Sequence, residues 1–447
     1  MIRHTMTPFF LLACLLLGGS SAAGLAANLL LQLVAIPLIG WSLWRLVQDG
    51  AAPQIRAPLA LLAVFLVVAL LQLVPLPPAI WTALPGRDSV AEGYRLLGLP
   101  LPWLPLTLAP VGAGAAILWL LPAFAAFLLV IVLGAFRGRW IASVIVTVTL
   151  VSIALGAVQV LSGPSAYLYE KTNYGVGTGF FSNPNHLATL ILACIPFLGA
   201  LYVTLLRRAS TRSVSAIRLL VAAGYGVILV GILINGSLAG IGLAVPATLG
   251  TLLVFGRQRP ALRRVMITGT VVASIAALLV IVIGPFGNNL IGEQKANVEG
   301  SRQVVFARSF RAAGTYFPVG SGTATFQPVY RTMEPLSVIN PWYRNHVHND
   351  WLELLLETGL VGILVAALFL AWWASRIRAI WRADEPDRFA QAAVIATAMI
   401  LLHSLVDYPL RTAAISSVFA ICLGLMSGVR PHVRARKTKQ SARHLSI

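Results

Sequence analysis

The stretch His348-Asn349-Asp350-Trp351-Leu352-Glu353, running on to Glu357, sets a histidine and three carboxylates at the mouth of a long apolar run. A histidine titrates near neutral pH, so one placed beside a substrate hydroxyl can take its proton. The acids have a structural account as well. Asp350 followed three residues later by Glu353 has the shape of a capping box, and carboxylates suit a helix N-terminus through the backbone dipole. Glu353 and Glu357 are four apart and share one helix face. His348 has no comparable structural role, which makes it the leading candidate for chemistry.

Three other segments gather polar residues. His403-Ser404, Asp407-Tyr408-Pro409 and Arg411 lie at the end of a later apolar run. Phe181-Ser182-Asn183-Pro184-Asn185-His186 precedes another. There Asn-Pro signals a turn and Asn185 can cap the following helix. His186 is an ionisable residue at a membrane helix entrance, which is a functional candidate by default. Residues 285–349 form the longest polar segment, and its polarity pattern predicts a helix over 299–314 with Gly314 as the stop. On it Arg308 and Arg311 share a face, whereas Arg302 points away from Arg311. Arg331 and Arg344 follow, and Glu293, Glu299 and Glu334 balance several of these cations.

The elements that must position these residues are membrane helices. Hydrophobic residues make up 58% of the 447 and charged ones 11%, against roughly 25% charged in a soluble domain. Twelve apolar runs are long enough to cross a bilayer: 8–24, 25–46, 57–75, 110–135, 140–162, 186–206, 217–234, 238–256, 264–284, 350–375, 389–408 and 412–429. The first has the length of a cleaved signal peptide, but a second apolar run follows at once and the leading segment is barely basic, so a retained helix is expected. With both termini cytoplasmic, the entire net charge of +19 falls on the inner segments and the outer ones sum to zero. The high pI is therefore a topology signal and calls for no nucleic acid. The last residues, 430–447, form a basic cytoplasmic tail beside anionic lipid, with residues 1–429 as one membrane domain. The outer loops are then 76–109, rich in proline and tryptophan, 163–186 and 285–349, the last between helices nine and ten. Cys14, Cys194 and Cys422 show neither disulfide nor zinc spacing. All four polar clusters converge on the outer face.

His348-Asn349, nine residues, then Gly359-Leu360-Val361-Gly362 resembles the motif of the bacterial O-antigen ligase and polymerase superfamily. Ser301-Arg302 with Phe306, the Phe317-Pro318-Val319-Gly320-Ser321-Gly322 turn and Asn183-Pro184-Asn185-His186 fall where that superfamily has counterparts. The string His403-Ser404-Leu405-Val406-Asp407-Tyr408-Pro409-Leu410-Arg411 is similar to a subgroup found with exopolysaccharide loci. The resemblance implies an all-α integral membrane protein with a multi-helix glycosyltransferase fold of the GT-C type. It would act at the periplasmic face of the inner membrane without metal or cofactor. The implied donor is a glycan on undecaprenyl pyrophosphate. The acceptor would be a second lipid-linked glycan, lipid A core or a protein hydroxyl, and the sequence leaves open whether a chain-length regulator binds.

In that reaction His348 is the expected base or acceptor-orienting residue, and Glu353 orients His348 or binds sugar hydroxyls. Arg302, Arg308, Arg311 and Arg411 are the pyrophosphate candidates, since a guanidinium fork suits phosphate oxygens. Asn185, His186, Asn349, His403 and Asp407 are expected to support the site or touch substrate. One departure stands out. Superfamily members often carry an arginine in a Ser-Arg-x-Gly turn, where this chain reads Ser237-Leu238-Ala239-Gly240; Leu238 cannot hold a phosphate. The subgroup similarity favours a polymerase over a ligase. A transporter of the same topology is the competing class, but transporters place ionisable residues near the bilayer midplane, and here the helix interiors hold almost none.

Overall fold

The computed structural model describes residues 2–22, 24–136, 138–255, 259–283, 302–336 and 344–428. The basic tail and the predicted helix start at 299–301 lie outside them. The chain folds as an all-α membrane protein. Its apolar helices are α1 (Ile2–Leu17), α2 (Ala26–Asp49), α3 (Pro53–Leu71), α4 (Pro110–Leu133), α5 (Arg139–Ser162) and α6 (Pro184–Leu206). They continue as α7 (Thr211–Asn235), α8 (Leu238–Phe255), α9 (Pro260–Ile283), α10 (Asp350–Arg382), α11 (Arg388–His403) and α12 (Ala413–Ser427). Among the described residues nine of these are long and apolar enough to cross a membrane, and α1, α11 and α12 are shorter apolar helices. Each corresponds to one of the twelve runs in the sequence. Proline occupies the first turn of α3, α4, α6 and α9, where its missing N–H is no loss and its fixed φ starts the helix.

Helix α6 is the axis of the bundle. Every residue from Pro184 through Ala200 is buried, as expected of a helix that is apolar on all faces. It packs against α5, α7, α8 and α11. Helix α9 is the opposite case: its most apolar window is only 11% buried, so its valines and leucines face lipid. The entrance of α6, the end of α11 and the entrance of α10 meet at one end of the bundle, joined by the Thr189 hydroxyl and His403 Nδ1 at 2.8 Å.

A second, smaller core lies outside the bundle. Helices Arg302–Tyr316 and Phe326–Met333 bury Val305, Ala312, Tyr316, Phe326, Val329 and Tyr330 against Val347 and Leu356. The first of these helices runs two residues past Gly314, so that glycine is not its stop. The segment is not free-standing; it is seated on the first turns of α10.

That seat is a break in α10. Gly359 has φ 55° and ψ −139° inside the helix, a left-handed φ that a side chain resists. A Cβ there would run into the Pro318 carbonyl. The turn 318–322 fills the break: Leu360 N–H donates to Pro318 O (2.8 Å), Ser321 N–H to Leu356 O (2.9 Å) and Gly322 N–H to Glu357 O (2.9 Å). The carbonyls freed by the kink are thus satisfied, as an apolar setting requires.

The loop 76–109 holds that turn from behind. Pro75–Leu76 pairs with Leu104–Pro105 as a two-stranded antiparallel ladder, and Trp81 is buried with Nε1 donating to Pro102 O at 2.9 Å. Gln72 Oε1 accepts from Thr323 N–H at 2.6 Å. Arg87 is 2% exposed. Its Nη2 donates to Leu106 O (2.7 Å), Gly320 O (3.3 Å) and Ser321 O (3.4 Å). The guanidinium sits 5.3 Å over the Tyr316 ring. These contacts make the loop a buttress for the 318–322 turn.

Candidate active site

Asn349 caps α10, its side chain accepting Leu352 N–H at 3.0 Å. The cap is therefore Asn349 and not Asp350, a correction to the capping-box expectation. Glu353 turns back instead. Its Oε2 accepts Val347 N–H at 2.9 Å and its Oε1 meets His346 Nδ1 at 2.8 Å. The expected pairing of Glu353 with His348 is thus replaced by one with His346. His348 meets a different acid, its Nδ1 lying 3.3 Å from Asp407 Oδ1. Asp407 Oδ1 is fixed in turn by Tyr408 N–H at 2.8 Å.

The two histidines are adjacent because Val347 between them is fully buried in the second core. The left-handed turn at His348 bends the chain there. Both reach the Tyr408 ring, His346 at 4.5 Å between centroids and His348 edge-on at 4.8 Å. His186, fully buried at the α6 entrance, meets the same ring edge-on at 5.0 Å, and neither of its ring nitrogens has a hydrogen-bond partner among the described residues. Asn183 and Asn345 donate to the Tyr408 hydroxyl at 3.5 and 3.4 Å. Burial first, and then the Asp407 charge, push the Tyr408 phenol up to about 12. It stays neutral and is a scaffold for the imidazoles, not a base. His348 itself sits at φ 60°, a left-handed conformation uncommon outside glycine and a mark of functional sites when the surroundings enforce it.

Arg411 lies across the acids. Its Nη2 is 3.2 Å from Glu353 Oε1 and 3.5 Å from Glu357 Oε2, and its Nε is 3.5 Å from Asp350 Oδ1. Ser404 donates to Asp350 Oδ2 at 2.9 Å. Burial works against the guanidinium charge, but Glu353, Glu357 and Asp350 outweigh it and hold its pKa above the ordinary arginine value. An arginine engaged by three carboxylates is a counter-ion, which corrects the expectation that Arg411 is open to pyrophosphate. Helix Arg302–Tyr316 carries Arg308, half-buried, and exposed Arg311.

The remaining expected residues divide. His403 is anchored to α6: Thr189 donates its one hydroxyl hydrogen to Asn185 O at 2.9 Å, so it accepts from His403 Nδ1–H. Asn185 does not cap α6. Asn183 does, accepting Asn185 N–H at 2.8 Å, while Asn185 Oδ1 accepts the Ser237 hydroxyl at 2.6 Å. That bond places the Ser237-Leu238 turn at the α6 entrance, with Ser237 as the α8 cap. Sequence reasoning missed His346, Tyr408 and Arg87. The His346-x-His348 spacing was the available signal, two imidazoles within three residues.

The fold and site define a polytopic α-helical membrane protein with an acid–histidine centre at one end of its bundle. Residues 223–367, about a third of the chain, match the family model described as O-antigen ligase; the match supports a relationship to that superfamily and indicates glycan transfer of ligase or polymerase type. The match holds His346, His348, Glu353, Glu357 and the Gly359 kink; His186, His403, Asp407 and Arg411 lie beyond it. The comparison with curated proteins returns no match.

Proposed function

We propose that the chain polymerises repeat units of a surface or exopolysaccharide, transferring glycan from an undecaprenyl-pyrophosphate-linked donor to a sugar hydroxyl at the periplasmic face of the inner membrane. The observation that carries this reading is the His348–Asp407 pair beside the Glu353–Arg411 cluster, at the bundle end where a lipid-borne substrate can lie between helices. With Nδ1 turned to Asp407, His348 offers its Nε2 lone pair to the acceptor hydroxyl. The acceptor oxygen bonds to the anomeric carbon as the carbon–phosphate oxygen bond breaks in line, inverting that carbon. The proton goes to His348 and the electron pair leaves with pyrophosphate. Arg308 and Arg311, with Arg302 at the start of their helix, are the cations assigned to that pyrophosphate, and no step calls for a metal.

The test is the lipid-linked glycan profile of a deletion strain complemented with wild-type protein or His348→Ala. The expected result is single repeat units stranded on the lipid, with transfer by His348→Ala down at least ~100-fold, the usual scale of a lost general base. Near-wild-type transfer by that variant would remove the base assignment. An unchanged profile on deletion would remove glycan transfer altogether. The family description favours one second reading, a ligase. Its signature is long chains left on the lipid with bare lipid A core.

A further inference from the structure

Glu353 does not need His346. Its Oε2 already accepts the Val347 N–H and its Oε1 already faces Arg411, so the carboxylate is paired and hydrogen-bonded without an imidazole. The ring is nonetheless held rigidly, with Nδ1 on Glu353 at 2.8 Å and its face tilted 39° against the Tyr408 ring. His348 is placed in a related way, with Nδ1 facing the Asp407 carboxylate at 3.3 Å, short of a hydrogen bond, and its ring against the same phenol. In both pairs the acid is sealed and the imidazole is open. The Glu353 and Asp407 side chains are 2% and 1% exposed, those of His346 and His348 17% and 25%. The acceptor-only Glu353 carboxylate takes the His346 Nδ1–H, and Asp407 Oδ1 faces His348 Nδ1 at 3.3 Å, so in both rings it is Nε2 that is left for substrate. One lone pair suffices for one proton transfer.

We propose that His346 is a second substrate-binding imidazole, whose Nε2 accepts a hydrogen bond from a hydroxyl neighbouring the one that reacts. This rests on the glycan-transfer reading and sharpens its acceptor class. Two fixed acceptors on one aromatic ring suit a molecule with paired hydroxyls, which a sugar ring has and a serine or threonine side chain lacks. His346 is thus the group that selects and orients the acceptor, and His348 the group that deprotonates it.

The experiment uses membranes from the deletion strain re-expressing the full chain, supplied with that strain's own extracted lipid-linked repeat unit at increasing concentration. For His346→Ala the half-saturating concentration is expected to rise about tenfold, the worth of one hydrogen bond, with most of the effect there and not on the maximal rate. His348→Ala shows the reverse split. His346→Gln, which keeps an acceptor oxygen, recovers part of the loss. Equal expression and thermal unfolding of the variants separate binding from folding. The wild-type product is expected to resist proteinase K. Wild-type kinetics in His346→Ala, a pure loss of maximal rate, or a protease-sensitive product would each overturn the assignment while glycan transfer stands. Absence of transfer by the wild type would instead overturn the reading beneath it.

Discussion

Two guanidiniums, Arg87 sealed and Arg411 half-buried, do opposite jobs in this molecule. Arg87 is compensated by backbone carbonyls of Leu106, Gly320 and Ser321 and by the Tyr316 ring. Arg411 is compensated by three carboxylates. Burial lowers the Arg87 pKa, with Tyr316 opposing only in part, whereas the acids around Arg411 overcome burial and raise its pKa. Carbonyl dipoles fix geometry and leave no mobile charge. Arg87 holds the turn under the α10 kink, and Arg411 holds three acids together at the candidate site.

The largest effect should come from Arg411→Met. It strands three carboxylates with one another, and breaking such a buried pair costs about 3–5 kcal/mol. Thermal unfolding in detergent should show a large drop, with transfer lost. Adding Glu357→Gln should recover stability, because it removes one of the like charges. A double variant no more stable than Arg411→Met would show that the acids do not repel as their geometry requires.

Arg87→Met sharpens the contrast. It leaves carbonyls without a donor but no opposing charge, a cost of about 1–3 kcal/mol. Glu357→Gln should not rescue it. Transfer should fall only as far as the 318–322 turn loosens. Recovery of Arg87→Met by Glu357→Gln would erase the distinction between the two arginines.

The sequence made legible whatever depends on apolar length and on one motif. The twelve apolar helices were readable as apolar runs, nine of them among the described residues long enough to cross a bilayer, and the His348 motif stood out because charge at a helix mouth is costly. Partners across the fold were not readable. Glu353 is five residues from His348 and seven from His346, and only the burial of Val347 and the left-handed turn at His348 decide which imidazole it holds. Arg411 looked free because its acids lie on another helix. Arg87 sits in a loop whose prolines gave no hint that its guanidinium would be sealed beneath residues more than two hundred positions away. The glycines of the His348 motif read as family signature, while Gly359 is the kink that lets the turn dock.

The smallest predicted effect tests the scaffold that both imidazoles share. Tyr408→Phe removes a hydroxyl reached by Asn183 and Asn345 only at 3.5 and 3.4 Å, long for hydrogen bonds, and keeps the ring. The cost should stay near or below ~1 kcal/mol, the net worth of an ordinary hydrogen bond, with transfer changed only a few-fold. Tyr408→Leu takes away the ring that His186, His346 and His348 all touch. It should lower transfer far more than stability, because the Asp407 and Glu353 anchors persist while the imidazole faces lose their common support. If Tyr408→Phe proves as damaging as Tyr408→Leu, the hydroxyl and not the ring organises the centre, and Asn183 and Asn345 become part of its machinery.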